Sequence, residues 1–259
     1  MRPGRQDGKD DAPCGHGLSG AAQRPARSVT YAWGDLKRSC SVRLTSLARN
    51  NKLRRMRYLA LGDSYTIGEQ VDPEQRWPSQ LVSLLRQEGL HVDDAEIIAR
   101  TGWTTRDLIA GIEGAAPGGR FDLVSLLIGV NNQYQGRDLE EYRSEFRGIL
   151  ARAVALTGGV PARVIVVSIP DWGATPFARG RNRARIADEI DRFNDVNRDE
   201  AERAGARYVD ITGLSGLAGV PGGEALVVAD GLHPAGAMYS EWARRILPQA
   251  VAALGRASR

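Results

Sequence analysis

The fold is decided by LALGDSYTIGE, residues 59–69, in which an apolar run stops at Gly62 and small and polar residues follow. An apolar run that ends abruptly in a glycine is typical of a buried strand reaching the edge of its sheet. Ser64 therefore stands just beyond the carboxyl end of this strand. It either caps the helix that follows or acts as a nucleophile.

Strand and helix patterns alternate along the chain from residue 56 onward. The predicted strands are RYLALGD, AEIIAR, FDLVSLLIG, ARVIVVSIP and RYVDI. The predicted helices are PSQLVSLLRQEG, TTRDLIAGI, LEEYRSEFRGILARAVAL, NRARIADEIDRFNDVNRDEAERAG and AGAMYSEWARRILPQAVAAL, the last interrupted or bent near Pro248. This alternation predicts an α/β fold, with a parallel sheet of about five strands covered by helices on both faces. In such sheets, sites form at the carboxyl ends of the strands.

The positive net charge belongs to the N-terminal part of the chain. Residues 1–55 carry 12 of the 35 basic residues and 4 of the 31 acidic ones, which leaves 23 and 27 for residues 56–259. The mildly acidic remainder does not favour nucleic-acid binding by the domain. A basic arm in 1–55 that binds nucleic acid is the alternative, and it predicts salt-dependent binding that vanishes when 1–55 is removed.

Missing residue types restrict the chemistry. No lysine follows Lys52, which excludes a lysine Schiff base and a P-loop lysine from the domain. Cys14 and Cys40 both lie in the N-terminal part, so the domain has no thiol nucleophile, disulfide or thiolate metal site. His91 and His233 are too few for a histidine-rich metal centre. We expect neither a metal nor a cofactor.

Residues 1–55 are rich in Gly, Pro and Arg and have no hydrophobic period, so we expect a disordered basic extension before a domain over 56–259. Translation starting at Met56 would explain the extension, with a targeting peptide or basic arm as the alternative. The chain lacks the apolar segment of a secretory signal and any run long enough to span a membrane. These patterns predict a cytoplasmic protein without a membrane span.

A serine nucleophile needs a base, a group that orients the base, and donors for the developing oxyanion. In DGLHP, residues 230–234, Asp230 and His233 are close enough for the carboxylate to reach the imidazole. The order Ser, Asp, His occurs in one known arrangement, although the chain has no G-x-S-x-G elbow. Candidate oxyanion donors are the backbone N–H of Ser64, the N–H of Gly102 and the side-chain amide of Asn131.

The four blocks together resemble the SGNH (GDSL-type) hydrolase superfamily. They are GDSY after the first strand, Gly102 after the second, GVNN after the third and DGLHP near the end, in order across 56–259. The resemblance implies a three-layer, flavodoxin-like α/β/α fold and hydrolysis of esters or thioesters through an acyl-enzyme. It implies a nucleophilic Ser64, a His233 base oriented by Asp230, and an oxyanion hole formed by Ser64 N–H, Gly102 and Asn131.

One position departs from the superfamily pattern. The third block usually reads G-x-N-D, whereas here Asn132 replaces the aspartate. Because the two side chains are nearly isosteric, we expect the loop to persist with altered hydrogen bonding. The departure concerns the surroundings of the site and leaves the predicted triad unchanged.

Other residues at the strand ends have two interpretations each. Trp103, Tyr134 and Trp172 either line an acyl pocket or pack beneath the loops. The arginine cluster in TPFARGRNRAR is either a solvated face or a contact for an anionic head group. Asp171 is an alternative third member of the triad, and His91 is expected in a surface loop.

These observations predict a serine esterase or thioesterase of the lysophospholipase-like type, acting on a small-molecule ester. A carbohydrate O-acetyl esterase is the alternative within the same chemistry. A non-catalytic binding protein on the same fold is the alternative outside it. The sequence predicts no oligomeric state.

Overall fold

The computed structural model of the protein describes residues 55–220 and 222–255. All the strands and helices that the sequence predicts fall within these residues. The disordered extension predicted for 1–55 lies outside them, apart from Arg55. None of the helices in these two ranges is long and apolar enough to cross a membrane.

The described residues form a five-stranded sheet in which every paired strand is parallel. Its strands are β1 (Tyr58–Gly62), β2 (Glu96–Ala99), β3 (Leu123–Leu127), β4 (Val164–Val167) and β5 (Arg207–Val209). They are arranged in the order β2-β1-β3-β4-β5. The first connection places β2 on one side of β1, and the chain then crosses back so that β3 to β5 lie on the other side. The parallel sheet predicted from the sequence is confirmed.

Helices cover both faces of the sheet and complete the three-layer α/β/α fold. They are α1 (Ser64–Ile67), α2 (Trp77–Gln87), α3 (Thr105–Ala115), α4 (Val130–Tyr134), α5 (Leu139–Leu156), α6 (Arg183–Ala204) and α7 (Gly236–Leu254). Helices α2 and α7 pack against each other, and α5 packs between α3 and α6. Short 3₁₀ turns occupy Pro73–Gln75, Pro161–Arg163, Trp172–Ala174, Pro176–Ala178, Thr212–Gly219 and Gly223–Leu226.

The central strands are almost entirely apolar because both of their faces are covered. Every residue of β1, β3 and β4 is buried, including Ser125, whose hydroxyl is hydrogen-bonded to that of Tyr58 at 2.8 Å. Helix α3 begins with a capping box, in which Thr104 accepts from the N–H of Asp107 and the Asp107 carboxylate accepts from the N–H of Thr104.

Helix α7 continues through Pro248 without interruption, which excludes one of the two outcomes that the sequence predicted there. A proline removes one backbone donor and frees the carbonyl four residues earlier, here that of Arg244. Arg244 and Pro248 are both exposed, so water can take the place of the missing donor. The opposite face of α7 buries Trp242, Ile246 and Ala250, and this packing holds the helix together.

Glycines allow the chain to turn closely where β1 and β3 end. A Cβ on Gly62 would lie 2.1 Å from Thr66 Oγ1 and 2.5 Å from the Leu127 carbonyl oxygen. Gly129 has a φ of 128°, and a Cβ there would lie 2.4 Å from the Tyr142 hydroxyl. These approaches let α1 and α4 begin immediately after their strands.

Candidate active site

The segments singled out from the sequence meet at the carboxyl edge of the sheet. Ser64 is the first residue of α1 and follows β1 after a single residue. Gly102 lies in the turn after β2, and Asn131 is in α4, after β3. Asp230 and His233 lie in the loop that leads into α7. Five positions that are far apart in the chain are therefore brought to one edge.

The imidazole of His233 bridges the serine and the aspartate. Its Nε2 lies 2.9 Å from Ser64 Oγ, and its Nδ1 lies 2.7 Å from Asp230 Oδ2. The Tyr65 ring packs on the imidazole with 5.2 Å between ring centroids. Ser64 and His233 are both largely buried, with 4% and 9% of their surface exposed. The imidazole is thus held between an alcohol and an acid at hydrogen-bonding distance from each.

The Asp230 carboxylate is held by its own loop as well as by the imidazole. Its Oδ1 accepts hydrogen bonds from the N–H groups of Leu232 (2.7 Å) and His233 (2.9 Å). Burial raises the pKa of Asp230, but the hydrogen bonds from the His233 side chain and the loop amides outweigh it and leave the pKa below its ordinary value. The carboxylate is therefore ionised and can stabilise a positive charge on the imidazole.

Asp63 shapes the turn that presents Ser64. It is the N-cap of α1, where its Oδ1 accepts from Tyr65 N–H at 3.0 Å and its carbonyl accepts from the N–H groups of Thr66 and Ile67. Burial raises the pKa of Asp63 to about 7, since the side chain is fully enclosed.

Gly102 and Asn131 lie beside Ser64 in the same cavity. Gly102 has a φ of 81°, a conformation that glycine adopts without strain. The Asn131 side chain is half-buried, and its Nδ2 donates to the Trp103 carbonyl oxygen at 2.9 Å. An amide nitrogen carries two hydrogens, so this bond orients the side chain and leaves the second hydrogen for a ligand.

A cavity of about 230 Å³ opens over Ser64 and His233. Tyr134 and Trp172 line it, as one of the two sequence interpretations proposed. Trp103 does not, because its ring lies against Gly111 of α3. The remaining lining is mostly apolar and includes Tyr65, Val130, Phe177 and Leu232.

The sequence of residues 60–240, well over half of the chain, matches the profile of the GDSL-like lipase/acylhydrolase family. The chain belongs to this family. Its general chemistry is accordingly that of an ester hydrolase acting on small-molecule esters, and it falls within the SGNH hydrolase superfamily that the sequence motifs indicated.

Several solved structures share the fold of this GDSL-like hydrolase. A structure described as TesA aligns with a TM-score of 0.61 and 22% identity, over 77% of this chain and 100% of its own. Axe2, an acetylxylan esterase from Geobacillus stearothermophilus, aligns with a TM-score of 0.59 and 22% identity, over 75% of this chain and 94% of its own. A structure from Desulfitobacterium hafniense DCB-2, described as a putative lipolytic protein of the G-D-S-L family, aligns with a TM-score of 0.55 and 16% identity, over 75% of this chain and 99% of its own. A comparison with curated proteins gave no match.

The position where the superfamily pattern usually has aspartate is occupied by Asn132, which is buried and hydrogen-bonded through both its oxygen and its nitrogen. Its Oδ1 accepts from Thr105 N–H at 3.0 Å, and its Nδ2 donates to Thr105 Oγ1 at 2.7 Å. The Thr105 hydroxyl in turn donates to Glu145 Oε2 at 2.5 Å. The asparagine thus connects α4 to α3 and, through Thr105, to a carboxylate on α5. These hydrogen bonds form a relay from Asn132 through Thr105 to Glu145.

The two other titratable candidates lie away from the imidazole. Asp171 accepts from Gly173 N–H at 2.8 Å in the turn after β4, and burial raises its pKa. His91 is exposed between α2 and β2. Within the described ranges, no three His, Cys, Asp or Glu side chains are grouped as they would be to hold a metal ion.

Some contacts of the site were missed by the sequence interpretation. Gln70 donates from Nε2 to Asp230 Oδ2 at 3.1 Å and has a φ of 58°, which is unusual for a residue other than glycine. Phe177 and Leu232 line the cavity although neither follows a strand. The only available signal was proximity to a motif, since Leu232 lies within DGLHP. Nothing in the sequence marks Gln70 as a neighbour of Asp230.

Proposed function

We propose that this protein hydrolyses carboxylic esters or thioesters through an acyl-enzyme, with Ser64, His233 and Asp230 as a catalytic triad. One observation carries the proposal: a single imidazole lies 2.9 Å from an alcohol oxygen and 2.7 Å from a carboxylate oxygen at the edge of a cavity. A serine hydroxyl is a weak nucleophile unless an adjacent base accepts its proton. His233 is within reach of that proton.

In the first half of the reaction, Ser64 Oγ attacks the acyl carbonyl while His233 Nε2 accepts the hydroxyl proton. The Asp230 carboxylate keeps the proton on Nδ1 and stabilises the imidazolium that forms. The N–H groups of Ser64 and Gly102 and the side-chain amide of Asn131 donate hydrogen bonds to the oxyanion. These groups are neutral donors, so they stabilise the developing charge without losing or gaining a proton.

In the second half, His233 gives its proton to the departing alcohol or thiol, which leaves the acyl group on Ser64. A water molecule then takes the place of the leaving group, and His233 accepts a proton from it as it attacks the acyl-enzyme. Collapse of the second tetrahedral intermediate releases the acid and returns the proton to Ser64. The proposed reaction uses water together with the side chains and backbone N–H groups named.

For the acyl group, we propose the lysophospholipase-like preference predicted from the sequence. The apolar cavity lining supports it, because apolar side chains favour an acyl chain over water. The alternative, a carbohydrate O-acetyl esterase, is the activity named for the structural neighbour Axe2. A panel of p-nitrophenyl esters of increasing acyl length separates the two. Turnover of acetate alone would favour the sugar ester, and turnover of longer chains would favour the lipid-like substrate.

The triad is tested with the wild-type protein and the Ser64→Ala variant. We expect the wild type to hydrolyse p-nitrophenyl esters and to gain the mass of a fluorophosphonate on Ser64, and the variant to do neither. A folded wild-type protein that neither turns over any ester or thioester nor reacts with the fluorophosphonate would contradict the proposal. That result would favour the non-catalytic binding protein. Circular dichroism of both proteins controls for folding.

A further inference from the structure

A second, larger depression adjoins the catalytic cavity. It has a volume of about 800 Å³, lies between residues 133–139 and the first turns of α6, and shares Tyr134 and Trp172 with the catalytic cavity. We call it the arginine groove, because four arginines line it: Arg137, Arg181, Arg185 and Arg192. A substrate bound at Ser64 can therefore extend past the two shared rings into a basic environment.

Arg181 lies closest to the boundary between the two spaces. Its guanidinium carbon is 5.6 Å from the Tyr134 ring centroid, 5.3 Å from that of Trp172 and 5.0 Å from that of Phe177. All three rings line the catalytic cavity. One N–H group of Arg181 donates to the Tyr134 hydroxyl at 3.4 Å, and the remaining donors of the guanidinium stay available for an oxyanion.

The groove is lined by four arginines but by only two acidic residues, Asp138 and Glu189. Asp138 caps α5, where its Oδ1 accepts from the N–H groups of residues 140 and 141. Glu189 accepts from Arg185 Nε at 2.7 Å and from Gln133 Nε2 at 2.9 Å, and the bond from Arg185 helps hold the pKa of Glu189 below its ordinary value. No carboxylate of the described residues forms an ion pair with the other three arginines of the groove.

The local sequence places positive charge where a helix already carries it. Residues 172–187 contain no acidic residue and four arginines, at positions 179, 181, 183 and 185. They surround the start of α6, whose first turn has no acidic side chain. The amino end of a helix carries a partial positive charge and favours anions, so these cations are unfavourably placed unless an anion joins them. By contrast, three arginines further along α5 and α6 share one carboxylate, that of Glu200: Arg143, Arg147 and Arg203.

We propose that the arginine groove binds an anionic group, a carboxylate or a phosphate, carried by the ester substrate, with Arg181 as its principal contact. This assignment rests on the proposed function and adds to it the charge of the substrate. The aromatic side chains lie between the scissile bond and the anion, and Arg181 receives the anion on the edge of its guanidinium. Arg137 and Arg192 add longer-range attraction.

Matched esters test this assignment. The leaving-group pair is 4-acetoxybenzoate and its neutral methyl ester, with 4-acetoxyphenyl phosphate as a phosphate arm. The acyl pair is p-nitrophenyl hemisuccinate and its methyl ester. The measured quantity is the ratio of kcat/KM for the anionic ester to that for its neutral partner. Comparing this ratio between wild type and variants cancels the intrinsic reactivity of each ester, and the two pairs reveal on which side the anion lies.

We expect Arg181→Gln to lower this ratio about tenfold in at least one pair, the loss associated with one charge-assisted hydrogen bond. The ratio for Arg181→Lys should lie between those of the wild type and Arg181→Gln, because lysine keeps the positive charge but lacks the paired N–H donors of a guanidinium. Arg179→Gln is the control, since Arg179 is an exposed arginine of the same segment that does not line the groove. Equal losses on anionic and neutral esters in Arg181→Gln, or an unchanged ratio, would overturn the assignment.

The failure of this assignment can be told apart from the failure of the proposed function. If the wild type turns over no ester or thioester and does not react with the fluorophosphonate, the proposed function fails. The groove is then tested by calorimetric titration of phenyl phosphate into the Ser64→Ala protein. Binding that is lost in Ser64→Ala/Arg181→Gln supports the groove as an anion site. If phenyl phosphate does not bind, or binds equally well to Ser64→Ala and Ser64→Ala/Arg181→Gln, the groove is not the anion site that we propose.

Discussion

At the residue scale, the two N–H hydrogens of the Asn131 side chain have different roles: one forms a structural hydrogen bond, and we propose that the other stabilises the oxyanion. Its Nδ2 donates one bond to the Trp103 carbonyl oxygen and faces the cavity beside Ser64. If the second hydrogen stabilises the oxyanion, Asn131→Ala should lower kcat on the order of 10²–10³-fold, the typical cost of one such donor. Steady-state kinetics on a p-nitrophenyl ester measures this loss.

Asn131→Asp separates the donor from the shape of the side chain. The aspartate is nearly isosteric but brings an ionised oxygen to the place of the amide, so we expect a loss of kcat at least as large. Thermal unfolding of both variants controls for damage to the loop. A variant at position 131 that keeps wild-type kcat would remove this residue from the proposed oxyanion hole.

Asp63 is the residue whose titration should affect stability at neutral pH. Its folded pKa of about 7 lies well above the ordinary value of 3.8, because the side chain is buried and Oδ2 has no hydrogen-bond partner among the described residues. The protonated form is thus favoured by folding. The stabilisation is complete below about pH 4 and is lost as the pH rises through 7, at up to about 1.4 kcal/mol per pH unit.

Asp63→Asn should abolish this loss. The asparagine keeps an acceptor for Tyr65 N–H and cannot ionise, so the free energy of unfolding of wild type minus variant should fall between pH 5 and pH 8. Urea denaturation at several pH values measures the difference, in which titrations common to both proteins cancel. Asp72→Asn is the matched control, because Asp72 is exposed and its side chain caps no N–H. A difference that does not change with pH would contradict the expected protonation of Asp63.

At the element scale, the relay from Asn132 through Thr105 to Glu145 fixes α3, α4 and α5 beside the site. The Thr105 hydroxyl has one hydrogen, which it donates to Glu145. Asn132→Asp would make two carboxylates compete for that hydrogen, so we expect it to lower the free energy of unfolding by about 1–3 kcal/mol. Chemical denaturation measures the change.

A second substitution should restore the relay with its direction reversed. In Asn132→Asp/Glu145→Gln, the Thr105 hydroxyl can donate to the aspartate and accept from the new amide. The double variant should therefore be more stable than the sum of the single changes predicts, by about 1 kcal/mol. If Asn132→Asp lowers the free energy of unfolding by the same amount with glutamate as with glutamine at position 145, the expected coupling between these two residues is contradicted.

At the scale of the whole molecule, Glu200 joins the two longest helices of one layer. Its side chain is buried, and it accepts from three arginines of α5 and α6: Arg143, Arg147 and Arg203. The hydrogen bonds from Arg147 lead the interactions that lower its pKa to about 2. A depressed pKa stabilises the fold above the unfolded value near 4.5, and this contribution is lost as the pH falls towards 2.

Glu200→Gln should lower the free energy of unfolding at pH 7 by about 2 kcal/mol, since the charge-assisted bonds are lost while the arginines stay partly hydrated. The difference from wild type should shrink as the pH falls below 4.5. Glu202→Gln is the control on an exposed neighbouring position, with an expected change below about 0.5 kcal/mol. A Glu200→Gln difference that is independent of pH would contradict an ionic role.

The order of elements could be predicted because it depends on local patterns. The apolar runs of β1, β3 and β4 can be buried on both faces only in a covered sheet, and α5 occupies the stretch that its pattern predicted. Of the two outcomes predicted at Pro248, the interruption is wrong because the helix is continuous, and the bend stays a prediction. Proline weakens a helix locally, but the buried face of α7 and the exposure of the freed carbonyl are tertiary properties that outweigh it.

By itself, the sequence determined the strand ends at which Ser64, Gly102 and Asn131 lie, because glycine turns and apolar runs act over a few residues. Only the tertiary structure decided which side chains meet. Trp103 turns onto Gly111 while Tyr134 and Trp172 line the cavity, and Gln70 reaches Asp230 from 160 residues away. Such contacts depend on packing between distant segments, and nothing in the local sequence encodes the direction of a side chain across that distance.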